Sequence, residues 1–405
     1  MSIYLQNEFN NYLNDDYKTA INAAYSAAKK HNINIFLIGG IVRDIIMNNP
    51  IKDIDITVEG DAVNFCSLLK EDAEFEIISV QENLRTAKVQ YKNGVEIDFA
   101  STREEKYDIS GNLPIAYNFG CKLENDVKRR DFTINTLALN LDKYELVDYY
   151  NGYNDILNKQ IKILHPNSFI DDPSRIVRAL KFMLRFNFNI EDNTQVLMKE
   201  YLENVNKTMP LERIKNEFIQ YFSVGKEKIY ETIVSSNAYK LISDNIILNF
   251  NQDYFNEILE YNLIEKSDIW LLYLLLLVFK SDFATDRLNM NSYEKKSLND
   301  LRTLYYNKIG NDNYSIYKAF NKKTNAAIAV YYIITGNQNV IKYLKELQYI
   351  KPELNGNDLI NMGFEPSSIF NEIFEEILKS KLEGKISTKQ DEINFVHRFI
   401  LPEKT

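Results

Sequence analysis

The sequence predicts an α/β head followed by an all-α remainder, and three features predict it. Short apolar or alternating runs bounded by turn residues recur at 33–38, 53–58, 85–92, 95–99 and about 145–148, with helical stretches between them to about residue 140. From about residue 150 onward strand patterns vanish and apolar residues recur at helical spacing. Turn formers break that helical part near residues 187–193, 208–210, 235–237, 285–291 and at Gly336. The 405 residues divide accordingly into a head (1–141), a neck (142–222), a body (223–300) and a tail (301–405), enough chain for more than one domain.

An N-terminal helix comes first. The strand Ile33-Asn-Ile-Phe-Leu-Ile38 then runs through Gly39-Gly40 into a helix over Ile41–Met47. A strand-to-helix turn without side chains lets phosphate oxygens approach free backbone amides. Arg43, one turn into that helix, is placed to add a charge-assisted contact to a triphosphate. The next strand, Ile51-Lys-Asp-Ile-Asp-Ile-Thr-Val58, alternates: Ile54, Ile56 and Val58 face one way, Asp53 and Asp55 the other. Two carboxylates so close do not both stay ionised cheaply without a cation, and magnesium suits a few carboxylate oxygens plus substrate phosphates. An Asp-x-Asp alone is equally a solvated strand face; the glycine turn just upstream makes the pair a candidate metal site.

Further along, Val95, Ile97 and Phe99 oppose Glu96 and Asp98, so a neighbouring strand offers Asp98 as a third carboxylate. Residues 131–141 place Ile134, Leu137, Ala138 and Leu141 at helical spacing, and Asp131 and Asn135, four apart, share another face. Asp172 can cap a helix that begins at Pro173, and Arg175, Arg178 and Lys181 continue one stripe of it.

Gly39-Gly40-Ile41-Val42-Arg43-Asp44 followed by Asp53-Ile54-Asp55 resembles the opening motif of the class II tRNA nucleotidyltransferases and bacterial poly(A) polymerases, within the DNA polymerase β superfamily. The resemblance continues in order through Arg129-Arg130-Asp131-Phe132-Thr133-Ile134-Asn135, Asp148-Tyr149-Tyr150-Asn151-Gly152, Asp171-Asp172-Pro173-Ser174-Arg175-Ile176-Val177-Arg178 and Glu212-Arg213-Ile214 with Glu217. It covers residues 33 to about 220. It implies a polymerase β-like head with a mixed sheet, Mg2+ on Asp53 and Asp55, and Asp98 as base or metal ligand. Gly39, Gly40 and Arg43 would serve the nucleotide, Arg129 and Arg130 its phosphates, Asp131 with Asn135 its ribose, and Asp172, Arg175 and Arg178 its base. The family often has an arginine where this chain has Lys181.

The base-selecting step has its own chemistry. Cytosine and adenine both present an exocyclic amine beside a ring-nitrogen acceptor, whereas uracil and guanine reverse that pattern. An Asp172–Arg175 pair therefore admits CTP and ATP and penalises UTP and GTP through unpaired buried groups.

The implied activity is template-independent addition of CCA to tRNA 3′ ends from CTP and ATP. CC addition, A addition and poly(A) synthesis are alternatives within the family, and an inactive RNA-binding protein is one outside it. Residues 101–128 are long enough to hold the flexible loop that CC-adding members largely lack, which favours adding A. Glu59-Gly60-Asp61 also occurs in A-adding relatives.

Hydrophobic content of 45% is globular, and a net charge of −9 leaves RNA binding to local basic faces such as Arg302–Lys308, Tyr317-Lys318 and Lys322-Lys323 in the tail. Two cysteines, Cys66 and Cys121, and three histidines argue for a reducing cytoplasm, against a zinc site and against a fused phosphohydrolase domain. No signal peptide is expected in residues 1–11, and the apolar run Ile269–Phe279 reads as a buried helix too short to span a membrane.

Overall fold

The computed structural model describes residues 2–109, 111–205, 211–246, 250–281 and 284–400. The chain forms two compact units, Met1–Leu241 and Ile242–Thr405. The first opens with helices α1 (Gln6–Tyr12) and α2 (Asp15–Lys30), then β1 (Ile35–Ile38), α3 (Gly40–Ile46), β2 (Asp55–Val58), α4 (Ala62–Leu69), β3 (Phe75–Gln81), β4 (Thr86–Tyr91) and β5 (Glu96–Ser101). A hairpin of β6 (Glu104–Lys106) and β7 (Ile115–Tyr117), the short helix α5 (Leu123–Asp126), β8 (Ala138–Asn140) and β9 (Glu145–Val147) complete its α/β part.

Seven strands make one mixed sheet in the order β3-β4-β5-β2-β1-β8-β9. Only β2 and β5 run parallel; every other neighbouring pair is antiparallel. Ile54, Ile56 and Val58 are buried, so the alternation puts the apolar half of the aspartate segment in the core. α4 packs Phe65 edge-on to Phe99 at 5.5 Å, and burial there pushes the Cys66 thiol up to about 12.

The five strands read from sequence are present with ends shifted by one or two residues. The sheet's other two strands, β3 and β8, are not anticipated by the pattern, nor is the β6–β7 hairpin. β3 is an edge strand with a register irregularity between Ile77 and Ser79, and its outer residues are exposed, so alternation never develops. Residues 131–141 are not a helix: a 3-10 turn at Thr133–Asn135 leads into β8. β8 is paired on both edges, by β1 and β9, and Ala138 and Leu139 are both fully buried. A strand covered on both faces carries continuous apolar residues, which periodicity alone does not separate from a buried helix.

The rest of the first unit is helical: α6 (Gly152–Leu157), α7 (Ser168–Asp171), α8 (Ser174–Phe186), α9 (Asp192–Glu203), α10 (Glu212–Phe222) and α11 (Ile229–Ser235). A small parallel pair, β10 (Gln160–Ile161) with β11 (Asn189–Ile190), also lies here, where no strand is expected. α8 ends at Asn187, whose left-handed backbone (φ 55°) is a common helix stop. α8 and α10 pack together, with Lys181 Nζ 2.8 Å from Glu217 and 2.7 Å from Gln220.

The second unit is helical throughout its described residues, beginning with α12 (Gln252–Leu259) and α13 (Trp270–Val278). Leu271 to Val278 are all buried, as the apolar run predicts, and no helix among the described residues is long and apolar enough to cross a membrane. Asn237 (φ 61°) and Gly336 (φ 61°) stand at two of the expected breaks; the break at 208–210 lies outside the described residues.

Candidate active site

Most of the residues singled out from the sequence converge on one cavity of about 740 Å³ in the first unit. Gly40, Arg43, Asp55, Arg129, Arg130, Asp131, Asn135, Asp172, Arg175 and Arg178 all line it. Asp53 and Asp98 line a second concavity of about 370 Å³. Gly39 forms the turn before α3 with φ 72°, and a Cβ there would come within 2.7 Å of an Arg130 guanidinium nitrogen. The backbone angle favours glycine at this first position, and the Arg130 guanidinium packs against it.

Pairing of β2 with β5 sets Asp55 opposite Asp98, and the Asp98 amide donates to the Ile54 carbonyl at 2.9 Å. Asp53 precedes β2 and is exposed; Asp55 and Asp98 are half-buried. Burial raises the Asp55 carboxyl above the ordinary aspartate range, Arg130 opposes the shift, and the charges of Asp98 and Asp53 reinforce it.

The arginines are held by an internal network. Asp126, fully buried, accepts from Arg129 Nε at 3.0 Å and from the Arg103 amide at 3.1 Å, and Arg130 lies 3.5 Å away. Glu105 on β6 bridges Arg103 (2.9 Å) and Arg129 (3.2 Å). Arg43 donates to both oxygens of Asp44 at 3.0 Å and to Asn135 at 2.6 Å, over the rings of Phe182 and Phe186. Its guanidinium is therefore engaged with protein groups, where the sequence suggested an outstretched phosphate contact.

Asp131 and Asn135 do meet, by a 2.9 Å hydrogen bond, although a tight turn and not a helix joins them. Asp131 also takes Arg178 Nη2 at 2.5 Å. Burial would raise this carboxyl, but Arg178, Asn135 and Arg175 outweigh it and hold it below its usual value.

At the start of α8, Asp172 Oδ1 accepts from the Ser174 amide (3.2 Å) and hydroxyl (2.5 Å), so it caps the helix as expected, one residue later than Pro173. Its other oxygen pairs with Arg213 of α10 and lies 3.6 Å from Arg175 Nε. Arg175 donates to Ser168 Oγ at 2.7 Å and to the Arg129 carbonyl at 3.0 Å, with Tyr107 Oη at 3.4 Å.

Arg103, Glu105, Tyr107, Leu113, Phe182 and Arg213 line the cavity without having been assigned a role from sequence. Glu105 and Tyr107 sit in the 101–128 loop and Arg213 in the last matched signature, so the signal for them was position within a motif and not residue type.

Among the described residues no three carboxylate, imidazole or thiolate groups gather closely enough to cage a metal ion by themselves. Adjacent carboxylates, one with its proton affinity raised first by burial and then by its neighbours' charge, nevertheless fit a cation shared with substrate phosphates, the arrangement Mg2+ favours. What the site offers chemically is a cationic cradle for a polyphosphate beside a carboxylate row.

The model of the poly A polymerase head domain matches residues 35–162. The chain is 27% identical over 403 residues to the A-adding tRNA nucleotidyltransferase of Geobacter sulfurreducens, covering 90% of this chain and 45% of that protein. It is 28% identical over 417 residues to the A-adding tRNA nucleotidyltransferase of Halalkalibacterium halodurans, covering 96% and 94%. The chain is thus similar along most of its length to tRNA nucleotidyltransferases, and its head matches the poly A polymerase head domain. It spans less than half of the Geobacter protein and nearly all of the Halalkalibacterium one. The solved apo form II of a CCA-adding enzyme has the same fold, with a TM-score of 0.82 at 23% identity over 98% of this chain and 99% of that one. Nucleotidyltransferases of this family generally use a divalent metal ion.

Proposed function

We propose that this chain adds nucleotides to the 3′ end of tRNA without a template, completing CCA from CTP and ATP in the cytoplasm, with Mg2+ as its metal. The observation that carries the reading is the single cavity in which the glycine turn, Asp55, the arginine cluster and the Asp172–Arg175 pair meet. Asp53 and Asp55 would hold the ion, which when bound offsets charge on the α-phosphate and the attacking oxygen.

Arg129 and Arg130, fixed by Asp126, bind the phosphates, and Asp131 with Asn135 orients the ribose. Asp172, Arg175 and Arg178 read the base edge. The RNA 3′-oxygen bonds to the α-phosphorus as the bridge to the β-phosphate breaks, pyrophosphate leaves with the bonding pair, and the hydroxyl proton passes to Asp98. The head (1–141) carries the chemistry, the neck (142–222) the base selection, and the body and tail (223–300, 301–405) the rest of the tRNA.

Addition of A alone is the second reading, favoured by the names of the two relatives above. The experiment offers the protein tRNA transcripts lacking CCA, CA or only the terminal A, each with CTP or ATP. C and A incorporation into the first substrate supports the main reading. Incorporation of A only, and only into the last, selects the second. A protein that binds tRNA and incorporates neither is an inactive RNA binder.

A further inference from the structure

Glu59-Gly60-Asp61 directly follows the strand that carries Asp55 and takes no part in the reaction above, yet each of the three bears on the foot of the β6–β7 hairpin. Glu59, its side chain 9% exposed, accepts from Lys122 Nζ at 3.1 Å, from the Leu123 amide at 2.8 Å and from Asn34 Nδ2 at 3.0 Å. Gly60 lies against Gly120: a Cβ on Gly120, whose φ is 78°, would stand 3.3 Å from the Gly60 Cα. Asp61 caps α4 with one oxygen and reaches Arg85 at 3.4 Å with the other, and Arg85 lies over the ring of Phe119 at 5.0 Å. Buried Thr102 closes the foot. Its carbonyl accepts from the Gly120 amide at 2.7 Å, its hydroxyl donates to the Cys121 carbonyl at 2.5 Å, and its amide donates to the Val58 carbonyl of β2 at 2.9 Å.

The far end of the hairpin rests on the segment proposed to read the base. Gly111 donates to the Asp171 carbonyl at 3.2 Å, Tyr107 Oη stands 3.4 Å from Arg175, and Leu113 and Pro114 line the cavity. The hairpin thus spans from the end of β2 to the Asp172–Arg175 pair. Adenine is larger than cytosine, fills more of the space beside that pair and leans harder on this wall.

We propose that Glu59 is a positioning residue for the base pocket: by fixing the foot of the hairpin it sets where Tyr107, Leu113 and Pro114 stand, and so governs the fit of ATP more than that of CTP. The proposal rests on the nucleotidyl-transfer reading above. The competing account is purely structural. Glu59 also caps α5, which leads into Arg129 and Arg130, and loosening those would weaken both nucleotides alike through the triphosphate they share.

The test compares full-length wild type, Glu59→Gln and Phe119→Ala. Glutamine keeps an acceptor for the Leu123 amide and loses the charge facing Lys122, while the alanine attacks the same foot from the hairpin side and leaves the α5 cap in place. Single-turnover rates are read for C addition to tRNA lacking CCA and for A addition to tRNA lacking only its terminal A. Kd for ATP and for CTP is measured without RNA. Expected in both variants are an A-addition rate and an ATP affinity lower by roughly ten- to a hundredfold, with C addition and CTP affinity within about twofold of wild type. Equal losses for both nucleotides in Glu59→Gln would leave it a cap for α5 and overturn the proposal, as would wild-type behaviour in either variant. A wild type that fails to incorporate C or A would count against the functional reading, and the ratio of the two Kd values then decides the positioning role.

Discussion

Arg178 Nη2 lies 2.5 Å from Asp131 Oδ2, an ion pair that ties the turn before β8 to the middle of α8 across 47 residues of sequence. Asp131 is almost wholly buried, and Arg178 is about one-third exposed.

Removing Arg178 strands that buried carboxylate. Arg178→Ala should destabilise the first unit by about 1 to 3 kcal/mol near pH 7, the cost of a buried pair discounted for the exposed arginine. Because the folded-state carboxyl of Asp131 is depressed, its contribution is present above the unfolded value and lost as pH falls through the folded one. The gap between wild type and variant should therefore narrow below about pH 4. Denaturant unfolding at pH 7 and at pH 3 to 4 checks this; a gap that widens in acid would contradict it.

The carboxylate row predicts the opposite linkage. A carboxyl raised in the folded state costs stability above its unfolded value and returns it as pH falls through the folded value, and Asp55 is such a group. Asp55→Asn should leave the melting temperature unchanged or higher at pH 7.5, reduce incorporation by about 1,000-fold or more, and abolish the Mg2+-dependent rise in melting temperature expected of wild type. Asp53→Ala should behave alike. More than a few per cent of wild-type activity in both variants would sink the metal assignment.

How much of this was readable beforehand differs between elements. The aspartate strand and its partner at 95–99 were legible from local alternation, and the other motif residues from their resemblance to a family's signatures in order. β8 was not, since burial on both faces erases the alternation that marks a strand. Nor were the ion pairs: nothing local in Asp131 points to Arg178, and Arg43 reads as a free cation until Asn135 and Asp44 are seen around it. Spacing revealed which residues gather; only the fold shows which are already spoken for.

That network changes what a loop experiment can report. Deleting 103–111 removes Glu105, which braces both Arg103 and Arg129, so C and A addition should fall together. Replacing 108–113 with a glycine-serine segment keeps that brace. It should spare C addition and slow addition of the final A by roughly tenfold if the hairpin tip helps switch between bases. Single-turnover rates with CTP and ATP on matched tRNA ends distinguish the two outcomes.

Base selection is tested at Asp172. Asparagine keeps the acceptor for Ser174 and so keeps the cap, but loses the charge facing Arg213 and Arg175. Asp172→Asn and Arg175→Ala should each lower the CTP to UTP incorporation ratio by about 1 to 3 kcal/mol, or roughly five- to 150-fold. Unchanged ratios in both, with normal melting temperatures, would leave Asp172 a helix cap and nothing more.

Asp126 holds the backbone of Arg103 and the side chain of Arg129 on one carboxylate oxygen, and Glu105 joins the same two arginines from the strand beside them. The stem of the β6–β7 hairpin and Arg129 are consequently one mechanical part. The hairpin cannot peel away without taking Glu105 from Arg129 and the Arg103 amide from Asp126, so any slow exchange seen at residue 103 should be seen at 129 with the same rate, and a nucleotide that immobilises one quiets the other.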